Sequence, residues 1–293
     1  MAEILTGERV KEMLPPRFSD SNKGDYGKTA ILAGSARYSG AAVLALSGAL
    51  RGGAGYVAAG VPEKLIFPLI GKIPEALLLP LSRGKRWKFS EKLLKNILGY
   101  DSLAAGMGME NTAETAKIVS FLLSRYTGQL ILDADGLNAL ARRYSAGGAA
   151  DVLRIKSCAA AITPHPAEFA RLTGFGVEEI RKNGEEIAEK YAAENGVTVL
   201  LKGAAGNKSV ITDGKNTFLN ATGNSGMAKG GSGDVLSGLI ASIAASGAGV
   251  FEAACAGAYL AGKAAEIAVK ETGEYSLTAS AEAEKIGAAF LSL

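Results

Sequence analysis

Histidine and cysteine are scarce in this chain: one histidine, His165, and two cysteines, Cys158 and Cys255, in 293 residues. So few nitrogen and sulfur ligands, so far apart, cannot assemble a zinc cluster. The cysteines, both in apolar surroundings, make no disulfide framework and fit a reducing, cytoplasmic setting. A surplus of charge is missing too. Lys and Arg number 32 against 29 Asp and Glu, a net +3. That is too little to argue for nucleic acid or a membrane surface, and it suits a small anionic ligand. The basic stretch Arg83, Lys85, Arg86, Trp87, Lys88 reads as a solvated loop. MAEILTGERVKEM carries charge from its third residue and has no apolar stretch, so no signal peptide is expected. The longest uncharged run, Val235 to Phe251, is broken by Ser242, Ser246, Gly247 and Gly249, and predicts a buried helix pair rather than a membrane span.

What the chain does have is a regular alternation. Short apolar runs at 28–34, 55–60, 102–108, 129–134, 158–163 and 198–203 are separated by helical patterns such as 41–53, 113–126 and 177–196. Strands apolar on both faces, alternating with helices, predict a mostly parallel sheet covered on both sides. The segment 208–220 departs from this, with Asp213-Gly214 turning between two alternating runs as a small antiparallel hairpin appended to the sheet. From Asp234 to about Leu291 the chain reads as helical, and no repeat or linker divides it, so one domain is expected.

Ligands of open parallel sheets bind outside the carboxyl ends of the strands. The informative segments are GSARYSGAA, GMGME, DADGLNAL, TPHPAEFARL and KGAAGN, with GNSGMAKGGSGDVLSG (223–238) as a sixth. Two other patterns fail on context. NKGDYGKT (22–29) has Asn22 where a phosphate-binding P-loop needs glycine, and it leads into a strand. GAGYVA (53–58) follows a helix and enters a strand, the reverse of a dinucleotide fingerprint. GMAKGGSGD has the right context: small residues expose backbone N–H groups just before a helix whose positive end faces the same place. Asp234, where the glycines stop, either caps that helix or takes a proton from a hydroxyl nucleophile during phosphoryl transfer. Lys229 either neutralises phosphate charge or is an ordinary exposed lysine. His165 either caps the helix begun by PAEFARL or lines the ligand side of the sheet beside Glu168. Asp133 and Asp135 either cap the helix GLNALARR or, with Asn138, order a magnesium–phosphate–water network.

GSARYSGAAVLALSGALRGGAGYV, LDADGLNAL, TPHPAEFARLTG and GNSGMAKGGSGDVLSG, in that order, resemble the blocks of the ADP-dependent (S)-NAD(P)H-hydrate dehydratases, a branch of the ribokinase-like superfamily. The resemblance runs from about Gly24 to the C-terminus. It departs from the family at Ala167, where many relatives have glycine, and at Ser232, often threonine. It implies a three-layer α/β/α fold, here a single domain over 1–293 with no N-terminal epimerase domain. It implies ADP, or ATP, as phosphoryl donor with Mg2+, and NADH or NADPH hydrate as substrate. By the same resemblance the protein is a cytoplasmic homo-oligomer, tetramer included, working with a separate epimerase and with neither nucleic acid nor membrane. Ala41, Gly108, His165 and Asp234 correspond to hydrate-contacting positions, Asp234 being the proton acceptor. Lys202, Gly203, Ala204, Ala205, Gly206 and Gly233 correspond to nucleotide-contacting ones; the metal ligands stay unassigned. A kinase of the same superfamily, such as a hydroxyethylthiazole kinase, would use the same glycine loop and aspartate and is the alternative. A nucleotide sensor without catalysis would be marked by loss of that acid.

Overall fold

Alternation along each strand sorts its side chains between two apolar layers. In Lys28–Leu32, Ile31 joins one core while Ala30 and Leu32 join the other, and Leu103 and Ala104 of Ser102–Ala105 divide the same way. The computed structural model describes residues 2–205 and 208–293. Among these the strands are β1 (Glu3–Ile4), β2 (Lys28–Leu32), β3 (Tyr56–Pro62), β4 (Leu77–Ser82), β5 (Ser102–Ala105), β6 (Gln129–Leu132), β7 (Ala159–Ile162), β8 (Thr198–Ala205), β9 (Lys208–Thr212) and β10 (Thr217–Asn220). They form one sheet in the order β1-β10-β9-β8-β7-β6-β5-β2-β3-β4. From β8 to β4 neighbouring strands run parallel, while β9 is antiparallel to both β8 and β10. The core on one face packs helices Ser39–Leu50, Ser232–Ala245 and Val250–Thr272; the other packs Ala113–Arg125, Ala134–Arg154, Pro166–Thr173 and Val177–Asn195. This is the three-layer α/β/α fold.

Three features differ from the sequence expectation. The 208–220 hairpin is no appendage: β9 and β10 continue the main sheet, and β1 pairs in parallel with β10 beyond them. β4 was hidden by Pro80, which removes a ladder donor and is tolerated because β4 is an edge strand. The C-terminal helical region is interrupted at 246–249 and 273–278. Among the described residues no helix is long and apolar enough to cross a membrane.

Some glycines of 223–238 serve packing rather than ligand binding. A Cβ on Gly238 would lie 1.8 Å from the Ala45 carbonyl oxygen, and one on Gly48 would lie 2.1 Å from that of Val235. Helices Ser39–Leu50 and Ser232–Ala245 therefore meet backbone to backbone, which fixes where the second helix begins relative to β2.

Candidate active site

β5 and β6 end side by side, and the chain turns sharply after each. A Cβ on Gly106 (φ +128°) would lie 1.9 Å from the Asp133 carbonyl, so only glycine lets the two turns touch. Ala134 adopts a left-handed conformation (φ +47°), uncommon for a residue with a side chain. The turn leaves Asp133 in the position that precedes helix Ala134–Arg154, yet its carboxylate makes no cap. Instead Oδ1 accepts from Lys202 Nζ at 3.0 Å, and Oδ2 accepts from Ser237 Oγ at 2.8 Å. One buried carboxylate thus ties the end of β6 to β8 and to helix Ser232–Ala245. Burial opposes the Lys202 ammonium, but Asp133, Glu168 and Asp234 together hold its pKa above the ordinary lysine value.

The glycine loop closes over this pair. Gly231 (φ +115°) precedes helix Ser232–Ala245 and offers no side-chain cap, so the N–H groups of the first turn face outward unclaimed by any side chain. A Cβ on Gly233 would lie 3.4 Å from Lys202 Nζ and 3.6 Å from Asp133 Oδ2, which puts the turn directly on the ion pair. Asp234 is the third residue of this helix, and among the described residues its carboxylate has no hydrogen bond. It is not a cap. Burial, then the negative charge of Asp133, pushes its pKa up to about 7, with Lys202 pulling the other way. An aspartate that titrates near neutrality beside unclaimed N–H groups can accept a proton where an anion is held.

The remaining predicted residues fall around this centre. His165 caps helix Pro166–Thr173: its Nδ1 accepts from Ala167 N at 3.1 Å and Glu168 N at 3.3 Å, while Glu168 Oε2 accepts from His165 N at 3.0 Å. Its side chain stays about half exposed. Burial lowers its pKa, partly offset by Glu168, so the imidazole is neutral at pH 7. Ala41 and Gly108 meet on the other side, where a Cβ on Gly108 (φ +64°) would approach that of Ala41 to 2.8 Å. A Cβ on Gly203 would meet nothing within 4 Å, and its φ of +62° is left-handed. The methyl of Ala204 is buried in the apolar core, so only its backbone is available to a ligand. Ala205 pairs with Lys208 in the β8–β9 ladder, and Gly206 lies outside the described residues.

Two readings fall away. Lys229 donates to the carbonyls of Tyr275 and Leu277, turned from the loop it was expected to serve. Asn138 accepts from Arg171 at 2.8 Å, and Asp135 accepts from the Glu110 N–H at 2.8 Å. Among the described residues no cluster of three or more His, Cys, Asp or Glu could hold a metal by itself.

Sequence reasoning missed Ser237, whose hydroxyl fixes Asp133 from one helical turn beyond Gly233; the four-residue spacing was the available signal. It also missed Glu282, whose carboxyl is fully buried beside Ser232.

The fold and its glycine loop define a ribokinase-like protein. The chain belongs to the NAD(P)H-hydrate dehydratase family, whose model matches residues 29–286. It is 36% identical to an ADP-dependent (S)-NAD(P)H-hydrate dehydratase of Neisseria meningitidis, over 92% of this chain and 86% of that protein. It is 38% identical to a bifunctional NAD(P)H-hydrate repair enzyme of Moorella thermoacetica; the match covers 94% of this chain but 51% of that protein, so the chain spans about half the length of such relatives. An ADP/ATP-dependent NAD(P)H-hydrate dehydratase of Bacillus subtilis, co-crystallized with ATP/Mg2+, superposes with a TM-score of 0.82 at 31% identity, over 99% of this chain and 98% of that one. A hydroxyethylthiazole kinase of Pyrococcus horikoshii reaches a TM-score of 0.59 at 14% identity, over 96% and 92% of the chains, a likeness of fold alone.

Proposed function

We propose that this protein dehydrates (S)-NAD(P)H hydrate at the expense of ADP, yielding NAD(P)H, AMP and phosphate. The observation that carries the reading is the Asp234 carboxylate, uncapped, unpaired and titrating near pH 7 at the open end of helix Ser232–Ala245. The C6 hydroxyl of the hydrate is a poor leaving group. Asp234 takes its proton as the hydroxyl oxygen attacks the terminal phosphorus of ADP, and the P–O bond to AMP breaks. The first-turn N–H groups and Lys202 stabilise charge on the phosphoryl in flight. The ring nitrogen's lone pair then expels phosphate from C6, and loss of a proton from the neighbouring carbon restores the dihydropyridine. No electron is gained or lost, so the enzyme is a hydro-lyase that begins like a kinase. Magnesium bound with the nucleotide offsets phosphate charge.

Ala41, Gly108 and His165 contact the hydrate in this reading, and Lys202 to Gly206 with Gly233 contact the nucleotide. One sheet with two helical layers supports a single catalytic domain across the chain. Two buried free cysteines support a cytoplasmic setting, and a homo-oligomer and a separate epimerase complete the proposal. Incubation of the protein with purified hydrate and either ADP or ATP tests it. Reduced-nicotinamide absorbance should return with one AMP and one phosphate per ADP consumed. A stable phosphoester on a thiazole or pyridoxal alcohol, with the hydrate ignored, would establish a kinase instead.

A further inference from the structure

Beside the candidate active site lies a cavity of about 430 Å³, bordered by Arg37, Tyr38, Arg86, Glu110, Asn111 and Asp135 among others. It joins the site through Tyr38, whose Cβ would stand 2.7 Å from a Cβ on Gly108. Two loops build it. Trp87 donates its indole N–H to the Gly34 carbonyl at 2.7 Å, and Ala36 N donates to the Lys85 carbonyl at 3.2 Å. This docking carries Arg86 to the cavity that Arg37 already borders.

The third charged wall is Glu110, whose backbone is left-handed (φ +65°). Its N–H is held by Asp135 Oδ2, and its carbonyl accepts from Thr112 N at 2.9 Å and the Thr115 hydroxyl at 2.7 Å. A residue with a side chain rarely adopts this conformation, and where the surroundings over-determine it the cause is commonly functional. The Glu110 carboxylate comes only within 3.9 Å of Arg86 Nε. Arg37 has no ion pair among the described residues; its guanidinium lies 5.4 Å from the Tyr38 ring centroid, and Tyr38 is 43% exposed. The cavity thus offers two exposed guanidinium groups, the Glu110 carboxylate, the Asp135 carboxylate that is held by the Glu110 N–H, and the partly exposed Tyr38 ring.

We infer that this cavity binds the phosphoribosyl half of the dinucleotide substrate: Arg37 and Arg86 hold a phosphate, Glu110 accepts from a ribose hydroxyl, and Tyr38 stacks on the base. The inference rests on the hydrate reading above. Guanidinium forks match phosphate geometry, and a carboxylate accepting from ribose hydroxyls is a recurrent dinucleotide contact. The phosphate comes from one of two sources, the diphosphate bridge common to both cofactors or the 2′-phosphate of NADPH alone.

Titration calorimetry of wild type, Arg37→Ala, Arg86→Ala and the double variant with NADPH, NADH and ADP separates these, alongside KM for both hydrates. Each variant should lower NADPH affinity about tenfold, the loss of one charge-assisted contact, and leave ADP affinity unchanged. An equal loss for NADH assigns the diphosphate; a loss confined to NADPH assigns the 2′-phosphate. Arg37→Lys, which keeps charge without the fork, should fall between Arg37→Ala and wild type. Wild-type affinity for both reduced cofactors in the double variant overturns the inference, as does an equal loss of ADP affinity. If arginine-dependent cofactor binding persists while wild type turns over neither hydrate, the cavity stands and the proposed reaction falls.

Discussion

The two edges of the sheet use the same kinds of residue to opposite ends. At the amino edge a cavity of about 500 Å³ is lined by Asp101, Thr127, Gly128 and Gln129 among others. Its one charge is spoken for: Asp101 Oδ2 accepts from Lys28 N at 2.7 Å. Gln129 Nε2 donates to the Ala244 and Ala248 carbonyls, and the Tyr126 hydroxyl donates to the Tyr100 backbone carbonyl. Glycines there admit other backbones; a Cβ on Gly27 would lie 2.1 Å from the Ala245 carbonyl oxygen. At the carboxyl edge side chains bond to side chains, as in Lys202–Asp133–Ser237. Gly40, Gly203 and Gly230 have nothing around them there. Cavity size does not distinguish the edges. What does is how the charged groups are engaged: at the amino edge the one carboxylate is met by a backbone N–H, whereas at the carboxyl edge Asp133 and Lys202 face each other and Asp234 has no hydrogen bond among the described residues.

The largest expected effect comes from the acid at the carboxyl edge. Asp234→Asn should lower kcat by about 10²–10⁴-fold, the usual contribution of a general base, with the protein still folded. Nucleotide affinity should hold, because backbone N–H groups carry the phosphates. In wild type, kcat/KM should rise as pH rises and level off above about 7, where Asp234 is deprotonated in the free enzyme. A flat profile between pH 5.5 and 8.5 would remove Asp234 from that role.

A carboxyl buried behind the glycine loop weakens the fold as it ionises. Burial pushes the Glu282 pKa up to about 7, against the 4.5 of a free glutamate. The folded-state value being the higher one, its stability is complete below pH 4.5 and is lost as pH rises toward and through 7. The loss is about 3 kcal/mol for a group this deeply buried. Glu282→Gln, which cannot ionise, should flatten the fall in melting temperature between pH 5 and 8. An undiminished fall in the variant would assign the pH dependence to other groups.

Glycine exchanges test the same contrast with a smaller effect. Gly27→Ala places a methyl against backbone at a φ of +64° and should cost roughly 2 kcal/mol or more, with kcat of the folded fraction unchanged. Gly230→Ala meets open space, so its stability should match wild type within about 0.5 kcal/mol, while ADP affinity falls. Equal stability losses for the two would erase the distinction between the edges.

How far the sequence reveals this contrast depends on the range of the interaction. Strand-end positions are legible because Gly, Asp and His punctuate apolar runs, and so Asp133, His165, Lys202 and Asp234 stand out. Their pairing is not. Asp133 and Lys202 are 69 residues apart and meet only because β6 and β8 flank β7. The capping alternatives for Asp133 and Asp234 are locally reasonable and are overruled by tertiary partners in one case and a glycine N-cap in the other. Glu110 reads as an ordinary loop acid, since nothing in GMGME announces a left-handed backbone. β4 is lost for the opposite reason: Pro80 looks like a breaker until the strand's edge position is known.

His165 carries the smallest effect and joins both behaviours in one ring. Its Nδ1 serves the backbone of helix Pro166–Thr173, as polar groups at the amino edge do, while its half-exposed outer edge stands on the active side. His165→Ala removes the cap and should cost about 1 kcal/mol, the usual loss for an N-cap acceptor. Asparagine caps helices well, so His165→Asn should restore that stability without restoring the imidazole. The two variants therefore separate the roles. If the ring touches the hydrate, KM for the hydrate rises in both variants and KM for ADP in neither. If His165 only caps, asparagine returns melting temperature and KM together. Because burial keeps the imidazole neutral, protonation should disturb hydrate KM only below about pH 6.5, the ordinary histidine value. A KM that climbs already as pH falls to 7 would mean that burial does not hold the His165 pKa below the ordinary histidine value.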